Sequence, residues 1–247
     1  MFKMVGREFS LINSDLLCFP SPSNECVARR ARKLTEAGID RILDEGNDIV
    51  NEIHVLGKGH SSLVLTALLK DGRKVAVKIL RTDSKREDLL LECRLMSLAY
   101  PVAPKPFFCD EEFIIMEYLE GLPWKRFLSE YEGDCRLLVL KGLAVLEAGR
   151  WLDKVGVRHD ELSLVKEHVY VGMRGDVRII DYESASMGQG CNVCRLFSSI
   201  FMRERRIRRC CKEETLQSNG LEVLRRYKLR RDNFTEVISL VKEACLS

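Results

Sequence analysis

The stretch that decides the fold is Leu56-Gly57-Lys58-Gly59-His60-Ser61-Ser62-Leu63-Val64, followed by Val75-Ala76-Val77-Lys78. Two glycines at the tip of a strand pair let the backbone approach an anion closely, so that amide N–H groups can point at it. A lysine on the next strand adds a mobile positive charge. A strand has a period of two, so Ala76 and Lys78 share one face while Val75, Val77 and Ile79 share the other. One face can roof a purine beside a phosphate while the other enters a core. No Gly-Lys-Ser/Thr opens a helix after a strand, so this is not a Walker A loop.

Outward from this segment, the pattern alternates strand and helix. Residues from Glu25 to Leu43 read as helix, with Val27, Ala31, Leu34 and Ala37 at helical spacing and Gly38 able to split the run into two short helices. Strands are expected near Ile49–Leu56, Leu63–Leu69 and Lys74–Leu80, with Asp71-Gly72 as the tight turn between the last two. A helix from about Lys85 to Ala99 follows, closed by Pro101, Pro104 and Pro106, and then strands around Phe107 and Phe113–Met116. Gly121-Leu122-Pro123 marks the lobe boundary, because the composition turns helical beyond it. A long helix over Leu137–Val155, a hairpin of Val169–Val171 and Val177–Ile180, and further helices complete the chain. Three segments result: a helical extension over 1–48, a strand-rich lobe over 49–120 and a helical lobe over 121–247.

The chain has 247 residues, 46% hydrophobic and 31% charged, which suits a globular protein with one sizeable core or two small ones. No run of eighteen apolar residues exists, so no membrane span is expected. The stretch from Met1 mixes Lys3, Arg7, Glu8 and Asp15 with apolar residues and lacks the apolar region of a signal peptide. A cytoplasmic location follows, and with it reduced cysteines. Cys93 and Cys109 are expected to pack as small hydrophobes. Cys191, Cys194, Cys210 and Cys211 read as free thiols on helices, although their spacing has a faint likeness to a zinc ribbon. The net charge of +3 is unevenly placed. Arg203, Arg205, Arg206, Arg208 and Arg209 form one cluster, and Arg225, Arg226, Lys228, Arg230 and Arg231 another. They offer either an RNA footprint or solvated helix faces paired with Glu204, Glu213, Glu214 and Glu222.

The glycine loop and Val75-Ala76-Val77-Lys78 resemble the N-lobe of protein kinases, with Ser62 where a third glycine would sit. The resemblance implies an α+β, two-lobed fold: a small antiparallel-sheet N-lobe with one helix and a mainly helical C-lobe. It covers residues from about 50 to 200. It implies ATP as the nucleotide, bound by Leu56, Gly57, Gly59, Val64, Ala76 and Lys78. Glu92, in Leu-Glu-Cys-Arg-Leu-Met, takes the place of the glutamate that positions the lysine. The competing reading makes Glu92 a surface partner of Lys85 or Arg94. Glu87 is a weaker candidate, since an acid so near a helix start is ordinary helix chemistry. Ile114-Ile115-Met116-Glu117-Tyr118-Leu119 resembles the hinge, with Met116 lining the pocket and the Glu117 and Leu119 backbone meeting an adenine edge.

Asp181 ends the apolar strand Val177-Arg178-Ile179-Ile180, where a carboxylate is a hard-oxygen ligand for Mg²⁺. Asp181-Tyr182-Glu183 replaces Asp-Phe-Gly and is similar to the version in aminoglycoside and choline kinases. Counting back from Asp181 places His168 where the family has a metal-binding asparagine, and imidazole tolerates Mn²⁺ better than Mg²⁺. In His159-Asp160-Glu161-Leu162, Glu161 holds the register of the catalytic base and Asp160 holds its usual chemistry. Downstream there is no Ala-Pro-Glu and no long activation segment. This compactness resembles RIO-type kinases, the small kinase of an archaeal tRNA-modifying complex, and an archaeal family of predicted serine/threonine kinases. The implied activity is phosphorylation of serine or threonine in a protein substrate. Alternatives are a small-molecule kinase and an ATP-binding pseudokinase or RIO-like assembly factor on a ribonucleoprotein.

Overall fold

The structure is a computed structural model that describes residues 7–11, 14–173 and 175–247. Residues 1–6, where the sequence reading expects no apolar leader, lie outside the described residues. The chain is α+β with antiparallel sheets and divides into two compact units, Met1–Arg94 with Lys105–Leu119, and Leu95–Pro104 with Glu120–Ser247. Among the described residues no helix is long and apolar enough to cross a membrane.

The first unit contains β1 (Glu8–Ser10), α1 (Asn24–Glu36), β2 (Ile39–Leu43), β3 (Asp48–Val50), β4 (Ile53–Val55), β5 (Gly57–Lys58), β6 (Ser62–Leu69) and β7 (Lys74–Leu80). After the start of α2 (Leu90–Ala99) it resumes with β8 (Pro106–Cys109) and β9 (Phe113–Glu117). The main sheet has the order β1-β2-β6-β7-β9-β8, with β5 beside β6. Register fixes the faces. Lys78 lies opposite Val64 and Ile114, and Ala76 opposite Thr66 and Met116. Val75, Val77 and Ile79, with Leu63, Leu65, Ala67, Phe113 and Ile115, form the opposite face and enter one core with Val27, Ala31 and Leu34 of α1. The division of faces expected from the period of two is therefore observed.

Three elements differ from expectation. No second helix follows Gly38: at φ +94° that glycine turns the chain into β2, which pairs Ile42 with Ala67 and Leu43 with Thr66. The strand expected over Ile49–Leu56 breaks into the β3–β4 hairpin, because Asn51 and Glu52 both adopt positive φ at its tip. The helix expected from Lys85 starts at Leu90, where Asp88 Oδ1 accepts the Leu90 N–H at 2.9 Å.

The second unit contains β10 (Gly121–Pro123), α3 (Trp124–Glu130), α4 (Cys135–Val155), β11 (Val157–His159), α5 (Val165–His168), β12 (Val169–Gly172), β13 (Val177–Ile179) and β14 (Ala185–Met187). It ends with α6 (Asn192–Phe197), a π-helical turn over Ser198–Arg203, α7 (Arg205–Arg208), α8 (Glu213–Arg230) and α9 (Phe234–Leu246). Gly121 begins β10 against β12, where a side-chain carbon would stand 2.2 Å from the Val171 carbonyl oxygen. Asp134 caps α4 by accepting the Leu137 N–H at 2.9 Å. Near the other end of α4, Asp153, whose side chain is 1% exposed, gathers the Asn192 N–H at 2.9 Å and the Tyr227 hydroxyl at 2.8 Å.

The free-thiol reading is overturned. All ten cysteines pair, as Cys18–Cys26, Cys93–Cys109, Cys135–Cys210, Cys191–Cys194 and Cys211–Cys245. Folding brings each pair of Cα atoms to within 6.4 Å, which is bridging distance. The zinc-ribbon likeness dissolves for the same reason, since Cys210 and Cys211 bridge to Cys135 and Cys245 and not to the Cys191–Cys194 loop.

Candidate functional site

In the first unit, β7 delivers Lys78 to a position 5% exposed, and α2 delivers Glu92 to one 1% exposed. Lys78 Nζ stands 2.5 Å from Glu92 Oε1, and Arg86 Nη1 stands 2.9 Å from Glu92 Oε2. Glu92 is thus no surface acid, and its partners are Lys78 and Arg86 in place of Lys85 or Arg94; Glu87 is exposed. Arg86 reaches it because residues 85–88 are not helical: six residues apart on a helix, the two side chains would not share a face. A buried ion pair contributes little net stability compared with apolar residues of the same volume. Its effect is to hold an ammonium in a defined place.

Around Lys78 the same face of the sheet presents Val64, Ala76 and Met116. The Leu56 N–H donates to the Val64 carbonyl at 2.8 Å, which carries the strand into Gly57. Gly59 N–H donates to the Ser62 carbonyl at 2.9 Å and closes the loop. Arg81 steadies it, donating from Nη1 to the Gly59 carbonyl at 2.9 Å while paired with Asp83. Nothing lies within 4 Å of where a side-chain carbon on Gly57 would sit. The glycine there satisfies no packing demand of the chain itself, which leaves room for a close-lying ligand. At the end of β9 the Glu117 N–H donates to the Lys105 carbonyl at 2.9 Å, and Tyr118 and Leu119 continue outside regular structure.

In the second unit β11 runs into the Asp160-Glu161 loop. His159 is fully buried; its N–H donates to Asn192 Oδ1 at 3.0 Å, and its Nε2 lies 3.2 Å from the Ile180 carbonyl. Burial pushes the His159 pKa down; a carbonyl only accepts, so the Nε2 facing it is the nitrogen that carries a hydrogen and donates. Its ring meets Tyr182 edge-on at 5.3 Å and His168 at 5.4 Å. This stack ties the loop carrying Glu161 to the segments carrying His168 and Asp181.

Glu161, His168 and Asp181 come together, each offering one ligand atom, and these atoms lie within 4.8 Å of one another. Glu161 Oε2 is 3.7 Å from His168 Nε2. His168 is buried, while Asp181 is exposed and holds φ +63°. The carboxylate of Asp181 and the imidazole of His168 suit a divalent cation, Mn²⁺ more readily than Mg²⁺, with the Glu161 carboxylate beside them. Asp160 is placed differently. Its Oδ1 accepts from Arg158 Nε at 2.7 Å and Arg195 Nη2 at 2.8 Å, so its charge is committed to two guanidinium groups.

No protein-family model and no curated protein matches the chain. Sequence reasoning missed Arg81, Arg86 and Asn192. The first two act through backbone that leaves regular structure, and Asn192 acts through a contact 33 residues away, so no local pattern marked them.

In the Arg-rich tail, several groups are engaged. Arg206 Nη2 donates to the Tyr131 carbonyl at 2.6 Å, Arg226 pairs with Glu222 and Glu236, Arg208 with Glu213, and Arg231 with Asp153. This part of the two clusters serves the helices' own packing.

Proposed function

We propose that the chain is an ATP-dependent phosphotransferase of the protein-kinase-like superfamily, with the first unit as the nucleotide-binding lobe and the second as the lobe of the catalytic loop. The observation that carries the reading is the buried Lys78–Glu92 pair, on the face of the sheet opposite the core and beside an open glycine loop. Leu56, Val64, Ala76 and Met116 supply apolar surface for the base, the Glu117 and Leu119 backbone its polar edge, and Gly57 and Gly59 the cover for phosphates. Lys78, steadied by Glu92, binds phosphate oxygens.

Asp181 and His168 would hold a divalent cation, Mg²⁺ or Mn²⁺, which would supply charge neutralisation for a transferring phosphoryl group. Glu161 accepts the proton of the attacking hydroxyl, the group that Asp160 is too heavily paired to serve. Most of the acceleration comes from positioning and charge compensation, as phosphoryl transfer requires. The acceptor is serine or threonine of a protein. A small-molecule acceptor is the second reading, favoured by Asp181-Tyr182-Glu183. We place the protein in the cytoplasm, where ATP is supplied; five bridges are compatible with this only in a cytoplasm that tolerates disulfides, as in hyperthermophiles.

The test is transfer from γ-labelled ATP with Mg²⁺ or Mn²⁺ into proteins and into small hydroxylated metabolites. Multiple turnovers are expected, falling at least about a thousandfold in both Lys78→Ala and Asp181→Ala. Turnover unchanged in either variant overturns the assignment. Nucleotide binding without any turnover replaces it with a pseudokinase or a RIO-like assembly factor, for which exposed Arg225 and Arg230 are the RNA candidates.

A further inference from the structure

One bridge differs from the rest. Cys191–Cys194 closes a loop of sequence separation 3, against 8, 16, 34 and 75 for the other four. A cross-link over so short a loop restrains the unfolded chain least, so opening it forfeits the least stability. Both sulfur-bearing residues line a cavity of about 400 Å³ together with Arg158, Arg195 and Lys228. Such a cavity admits an attacking thiolate, and Lys228 favours one, Arg158 and Arg195 being paired with Asp160.

We infer that Cys191–Cys194 is a thiol–disulfide exchange site for a dithiol reductant, and that its state governs how firmly β11 is held. Cys191 is 7% exposed and Cys194 is half-buried, so the incoming thiolate attacks the Cys194 sulfur. The Cys191–Cys194 bond breaks as the mixed disulfide forms. The Cys191 thiolate leaves beside the Cys194 N–H, which stands 3.2 Å from its sulfur. The reductant's second thiolate then attacks its own sulfur in the mixed disulfide, releasing Cys194. The two thiol protons of the reductant end on Cys191 and Cys194, and the reductant departs as a disulfide. Two electrons have passed to the bridge.

The consequence follows from the residue inside the loop. Asn192 is fully buried; its Oδ1 accepts the His159 N–H at 3.0 Å, and its Nδ2 donates to the Val157 carbonyl at 2.8 Å and to Asp153 Oδ1 at 2.9 Å. The cross-link thus frames the side chain that clamps β11 one residue before Asp160-Glu161. Opening the bridge slackens that clamp. The inference stands independently of phosphoryl transfer.

The full chain is titrated with dithiothreitol and quenched with an alkylating agent, and each cysteine is located by mass spectrometry. Cys191 and Cys194 are expected to react at the lowest reductant concentration, before the other eight cysteines, with the His159 amide then exchanging hydrogen at least tenfold faster. Lys228→Gln is expected to slow the opening about threefold without shifting the melting temperature. Cys194→Ser is expected to show the fast His159 exchange with no reductant present. The inference is overturned if another bridge opens first or together with this one, or if His159 exchange is unmoved when both cysteines are alkylated. An opening rate indifferent to Lys228→Gln overturns the role of Lys228.

Discussion

Asp160 and Glu161 are neighbours with the same functional group, and their surroundings assign them different tasks. Asp160 accepts from two guanidinium groups, while Glu161 faces His168 and Asp181. If the proposed phosphotransferase reading holds, Asp160→Asn is expected to leave transfer within about tenfold of wild type, whereas Glu161→Gln is expected to lower kcat by about a hundred- to ten-thousandfold, the usual range for a lost general base. Steady-state kinetics on the two variants check this, and the reverse order would exchange their roles. Gly57 gives a second residue-scale expectation. Its backbone is not in the left-handed region and its surroundings are open, so Gly57→Ala should fold with stability changed by about 0.5 kcal/mol or less. Under the proposed nucleotide reading the added methyl is expected to crowd the phosphates and weaken ATP about tenfold, or about 1.4 kcal/mol. Calorimetric binding and a melting curve on the same preparation separate the two effects.

At the scale of elements, the sheet is backed by α1, and the joint is electrostatic as well as apolar. Glu112, in the β8–β9 turn, accepts from Arg29, from Arg30 at 2.9 Å and from Lys33 at 3.0 Å. Arg30, 4% exposed, also donates to the Leu17 and Leu80 carbonyls at 2.6 and 2.8 Å. Burial alone would raise the Glu112 carboxyl, but hydrogen bonds from Arg29 and Lys33 and the charge on Arg30 outweigh it and hold its pKa at about 2. A carboxyl depressed on folding contributes fully above its unfolded value, near 4.5, and loses that contribution as the pH falls through about 2. With allowance for its partial exposure to water, Glu112→Gln should lower stability by about 1–2 kcal/mol at neutral pH. Urea midpoints compared at pH 7 and pH 3 should show the gap narrowing in acid. A gap that is constant across that range would falsify the electrostatic account.

Across the whole molecule, the five bridges differ in how much chain they restrain. Cys135–Cys210 spans 75 residues and ties the start of α4 to the segment between α7 and α8. Chain-entropy reasoning assigns its loss about 4 kcal/mol, against about 2 kcal/mol for the Cys191–Cys194 loop. The double variant Cys135→Ser with Cys210→Ser should therefore melt well below wild type, and further below than Cys191→Ser with Cys194→Ser. Melting curves without reductant check the order. Equal losses would show that loop length does not set the contribution of these bridges.

Features that repeat at short range were legible from the chain alone. The alternation around Lys78 set the two faces of β7, Asp71-Gly72 set a hairpin, and helical spacing set α1 and α4. These readings rest on local periods of two and 3.6, which need no knowledge of the rest of the chain. Boundaries were less legible. The five residues lost from the start of α2, the turn at Gly38 and the break at Asn51-Glu52 depend on capping and sheet pairing. Folding was needed to show that Glu92 pairs with Lys78 and not with Lys85 or Arg94, that Asp160 is claimed by Arg158 and Arg195, that Glu161 stands with His168 and Asp181, and that ten cysteines pair. Each of these is a side-chain distance, several of them between segments far apart in the chain, and no local period carries that information.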